Sequence, residues 1–155
     1  YKEDKDSQNK PIINGSFKMN DSLVFKVDLP LPYDQAMQAV EDAFKTEGFG
    51  VLTKIDAQAT FRQKLDKEFR PFSIIGVCKP SLAHRLLTVE PKMGLQLPCK
   101  VTLEAADAGH SIVRIINPQS LVVLGLGEDP EIEQVAGEAE ASVRRVVEIL
   151  ENLAG

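Results

Sequence analysis

The sequence predicts an α+β domain in which a mostly antiparallel sheet carries its helices on one face. Three observations lead there. Segments 22–29 and 97–104 mostly alternate apolar and polar side chains with a period of two, the pattern of half-buried strands. Segment 129–153 repeats its apolar residues at helical spacing instead. Between strands 97–104 and 111–116 stands a short turn built on Asp107-Ala108-Gly109, which leaves no room for a crossover helix, so those strands pair as an antiparallel hairpin.

In chain order, residues 1–20 are polar, lysine-rich and aperiodic, and they read as a flexible arm ahead of a single domain over 21–155. The first strand sets Leu23, Phe25, Val27 and Leu29 on one side and ends at Pro30 and Pro32. Tyr33, Met37, Val40 and Phe44 then mark one face of a helix, with Gly48 as its left-handed stop. Residues 49–55 read as a second strand. Asp56 offers an N-cap to a short helix whose Ala57, Phe61 and Leu65 share a side. The branched apolar run 72–78 is a buried third strand, and Pro80 opens a helix that runs to Val89 and is stopped by Pro91.

The fourth strand, 97–104, places Leu97, Cys99, Val101 and Leu103 together; 111–116 is the fifth. Segment 120–126 is apolar and punctuated by glycine, and its pattern matches no element. The last helix has Asp129 as cap and Pro130 at its first position. Its stripe is Ile132, Val135, Ala139, Val143, Val146, Leu150 and Leu153, and Glu140 and Arg144 form an i,i+4 pair on its polar side.

Charge narrows the function classes. The net charge is -5, and 18 basic residues are scattered among 23 acidic ones, so no concentrated cationic face exists for nucleic acid. No apolar run reaches the roughly 20 residues that span a bilayer, which predicts a soluble chain without membrane insertion. Tyr1 in place of an initiating Met suggests a processed or truncated start, and an exported (periplasmic) and a cytoplasmic location stay equally open. The Asn-X-Ser triplets at Asn14 and Asn20 are too short a pattern to carry weight.

The residues with chemical potential are few. Cys78 closes the third strand just ahead of a helix N-terminus, where the helix dipole favours a thiolate, and His84 lies in the first turns of that helix. Cys99 follows Pro98 on the apolar side of the fourth strand. Two thiolates and an imidazole suit a soft or borderline metal ion, with an open fourth position as in catalytic zinc sites, although the spacing matches no zinc motif. Two other readings stay open at this point: small buried hydrophobes, or a disulfide.

The glycines of 125–127 superficially resemble a phosphate loop, but Glu128, Asp129, Glu131 and Glu133 would repel an anion and assign them to a connection with an acidic cap. His110 reads as a solvated turn residue, Arg144 and Arg145 as a solvated pair, and no Ser-His-Asp set can be assembled.

Glu47-Gly48-Phe49-Gly50-Val51-Leu52-Thr53-Lys54-Ile55-Asp56, then Phe69-Arg70-Pro71-Phe72, then Gly76-Val77-Cys78-Lys79-Pro80-Ser81-Leu82-Ala83-His84 and Leu97-Pro98-Cys99 occur in the order that resembles the domain of unknown function 302 family. The resemblance covers residues 22–153. It implies a TATA-binding-protein-like α+β fold, strand-helix-four strands-helix, and no established activity. Lys79 and Lys100 stand where the family usually carries asparagine, adding positive charge beside both sulfurs.

The function expected from these observations is a small-ligand, metal or thiol-redox binding domain centred on Cys78, His84 and Cys99, with Lys79 beside the ligand. The alternative is a non-catalytic homodimeric module in which 120–124 packs against a partner. Without a nucleophile–base pair or a cofactor fingerprint, whether the chain is an enzyme stays open.

Overall fold

The computed structural model describes residues 22–154; the predicted arm over 1–20 lies outside the described residues. Five strands form one sheet in the order β1-β5-β4-β3-β2, where β1 is Val24–Leu29, β2 Gly50–Asp56, β3 Phe72–Cys78, β4 Cys99–Ala105 and β5 Ser111–Ile116. Every neighbouring pair is antiparallel. Between the strands stand α1 (Tyr33–Thr46), α2 (Ala57–Leu65), α3 (Pro80–Val89), a 3-10 turn (Pro91–Gln96) and α4 (Ser120–Val123), and α5 (Pro130–Ala154) follows them. With α2, α3 and the one-turn α4 as insertions, this is the strand-helix-four strands-helix order that the family resemblance implies.

Register decides which face is buried, because residues opposite one another in an antiparallel ladder share a side. Phe25, Ile115, Val101 and Ile75 form one cross-strand row, and Val27, Val113 and Leu103 form the next. Apart from the half-buried Phe25, all of these are buried under α1 and α5. Phe44 is fully buried there and meets Phe49 edge to face at 5.4 Å between centroids. Burial of one such ring contributes roughly 3 kcal/mol.

The opposite face presents Ile74, Thr102 and Arg114, all half-buried. Glu104, only 6% exposed on that face, is held between Arg114 and Arg70, whose Nε donates to it at 2.6 Å. The Arg114 guanidinium, against the opposing effect of burial, holds its carboxyl below the usual carboxylate range.

The caps behave as their residue types require. Asp56 accepts from the Ala59 amide at 2.9 Å, Asp129 accepts from the Glu131 amide at 2.8 Å, and Gly48 takes φ +82 after α1. Two side chains depart from the predicted stripes. Leu65 is 61% exposed, because α2 is one short helix that packs mainly through Ala57, and Leu153 is 50% exposed, in the last turn of α5.

β2 is an edge strand exposed along its whole length, and its pairing slips between Val51 and Thr53. Such a bulge blunts an edge against strand addition. Among the described residues no helix is long and apolar enough to cross a membrane.

Candidate functional site

The interior divides into two apolar clusters. One joins the sheet, α1 and the C-terminal half of α5. The other gathers Leu82 and Leu86 of α3, Met93, Leu121 and the N-terminal half of α5. At their junction lies a cavity of about 20 Å³, walled by Phe49 and Val77 from the first cluster and by Leu82, Leu86, Leu121 and Val135 from the second. Cys78, Lys79 and Cys99 line it too, with Ala83, Leu97 and Ala139. That volume accommodates about one water-sized particle.

Strand pairing sets the two cysteine positions near each other in the backbone, and both residues line the cavity. Cys99 stands opposite Val77 in the β3–β4 ladder, and Cys78 is the next residue of β3. Both are free thiols, and each is partly buried. Burial pushes the Cys78 thiol up. Burial, and then the neighbouring Cys78 sulfur, push Cys99 up to about 11, against a smaller downward pull from Lys100. Burial thus works against the activation expected at the helix N-terminus, favouring the protonated form of both thiols. Lys79 directs its ammonium to the Ser142 hydroxyl at 3.3 Å and stands 6.0 Å from the Phe49 ring centroid.

The structure does not bring His84 to the pair. It is exposed and takes no part in the cavity wall. Helix geometry explains this: Leu82 and Leu86 face inward, and His84, two residues from each, falls about 200° round the helix from both. Among the described residues no group of three or more His, Cys, Asp or Glu is placed to hold a metal ion. His110 bonds Asp107 through Nδ1 at 2.9 Å on an exposed turn, as a solvated turn residue does.

The segment that matched no element, 120–126, begins as α4. Its Leu121 is buried in the second cluster, while Val123 and Leu124 are exposed. A readable signal precedes it: the Asn117 side chain accepts from the Gln119 amide at 2.9 Å, and Pro118 stands in the turn just ahead of the N-cap Gln119. Leu121 is the site residue that sequence reasoning missed.

The family model described as "Domain of unknown function DUF302" matches residues 25–150. The crystal structure of an uncharacterized conserved protein DUF302 from Bacillus stearothermophilus is similar, with 26% sequence identity and a TM-score of 0.72 over 83% of this chain and 98% of that chain. No curated protein matches. The family model spans most of the chain, and the chain belongs to the DUF302 family.

Proposed function

We propose that this protein binds a single soft cation, with Cu(I) the best chemical match, between the sulfurs of Cys78 and Cys99. The observation that carries the reading is that both thiols line one apolar cavity of about 20 Å³. No carboxylate or imidazole takes part in that lining. Soft thiolate ligands select Cu(I), which accepts two-coordinate geometry, whereas zinc requires further ligands that this cavity lacks. A volume of about 20 Å³ suits a single ion better than an organic ligand.

The reaction is Cu⁺ + 2 RSH → [Cu(SR)₂]⁻ + 2 H⁺, with no change of oxidation state. The product carries one negative charge, and Lys100, whose field reaches Cys99, offsets it. Thiol–disulfide exchange fits less well, because burial disfavours the free thiolate that must attack, whereas a bound cation displaces the proton and offsets the charge it leaves.

The test is anaerobic competition against a chromophoric Cu(I) chelator, on the full chain and on Cys78→Ser and Cys99→Ser. One Cu(I) per chain is expected, with affinity lowered about 100-fold or more in either variant. Retention of wild-type affinity by both single variants overturns the reading.

A further inference from the structure

Beside the thiol cavity a groove of about 310 Å³ opens on the surface between the 3-10 turn, the start of β4, the end of β5 and α4. Leu95, Pro98, Ile116, Leu121 and Leu124 supply its apolar walls. Leu95 is 80% exposed and Leu124 64%, the two highest values among the exposed large hydrophobics of the described residues, and both line this one groove. Single exposed leucines are ordinary, but two on the rim of one concavity leave apolar area in water that a ligand would cover.

The charge of the groove has one sign. Lys100 lines it and no acidic residue does, on a chain whose net charge is -5. The Nε2 of Gln96, another lining residue, is buried with no hydrogen-bond partner. The volume lies at the lower end of the roughly 300–1,000 Å³ typical of small-molecule sites. A second copy fits less well, because a two-fold contact through this groove would set Lys100 against its own symmetry mate.

We infer that this groove binds a small amphiphilic anion, with its apolar body between Leu95 and Leu124 and its anionic head at Lys100. Fatty carboxylates of medium length have this chemistry. The inference goes beyond the Cu(I) reading and needs no thiolate. The two sites share Cys99 and Leu121 as a common wall, while Cys78 lines the cavity alone.

Anilinonaphthalene sulfonate, an apolar body with one anionic group, serves as the probe, followed by fluorescence on the full chain, with decanoate as competitor and neutral Nile red as comparison. Saturable binding at one site per chain, displaced by decanoate, is expected. Leu124→Asp should weaken it about tenfold or more, and Lys100→Gln should weaken the sulfonate about tenfold while leaving Nile red within about twofold. Leu95→Asp repeats the first test at an exposed position, should Leu124→Asp disturb α4.

Cys78→Ser should lose Cu(I) and keep the sulfonate, so either site can fail without the other. Absence of saturable binding, indifference to both aspartate variants, or equal loss of both probes in Lys100→Gln overturns the proposal. So does a sedimenting dimer that Leu124→Asp dissociates, which assigns the groove to a second copy.

Discussion

Between about pH 6 and about pH 8, Cu(I) affinity should rise about 10⁴-fold, because each ion displaces two protons and each proton contributes about tenfold per pH unit. The sign follows from the thiols. Both hold their protons more tightly than free cysteine, Cys78 through burial and Cys99 at about 11 through burial and its neighbour. Metal therefore competes with protons at both sulfurs throughout this range. A site made of unperturbed cysteines would begin to level off near pH 8.5.

Competition titrations at three pH values, corrected for protonation of the chelator, measure the slope. A slope of one proton or none contradicts a dithiolate site. The same raised value makes the metal-free chain less stable in alkali. The Cys99 contribution is complete below its ordinary value of 9.0 and is lost as the pH rises through about 11.

Gly76→Ala should destabilise the fold by about 2–3 kcal/mol, and Gly76→Val by more. A methyl group on Gly76 would stand 2.4 Å from the Thr53 hydroxyl and 2.5 Å from Cγ of Pro98. Both distances are far inside van der Waals contact, and the Pro98 ring cannot rotate aside. Because Pro98 precedes Cys99, the displacement should also reach the thiol wall and weaken Cu(I) binding. Gly50, paired across from Cys78, is the control, since a methyl there meets nothing within 4 Å.

Chemical denaturation measures both variants. Gly50→Ala should stay within about 0.5 kcal/mol of the parent, and Thr53→Ala should recover part of the loss in the Gly76→Ala background. A Gly76→Ala protein as stable as its parent refutes this account of the strand packing.

Much of the fold was readable from local chemistry. Asp56, Pro80, Asp129 and Pro130 each stand where a helix begins, and the stripe from Ile132 to Leu150 is buried as its spacing requires. The four residues of α4 were not readable by period, because one helical turn is too short to show one. Its turn residues, Asn117 and Pro118, were the better guide.

For the site, the element ends at Cys78 and Cys99 drew attention to two cysteines that line one cavity. Their proximity rests on the pairing of Val77 with Cys99, a fact of register across segments far apart in the chain. Their protonation rests on burial, which helix dipoles and neighbouring lysines do not reveal. The helical phase of His84 relative to Leu82 and Leu86 already placed its imidazole on the outside. The groove draws on two stretches of chain, 95–100 and 116–124, and neither alone carries its pattern.

Copper-edge X-ray absorption of the Cu(I)-loaded full chain probes the pairing of the two thiols most directly. Two sulfur neighbours per copper and no imidazole nitrogen are the predicted result. A nitrogen neighbour, or three sulfurs around each ion, would contradict it, since a site confined to Cys78 and Cys99 of one chain can supply neither.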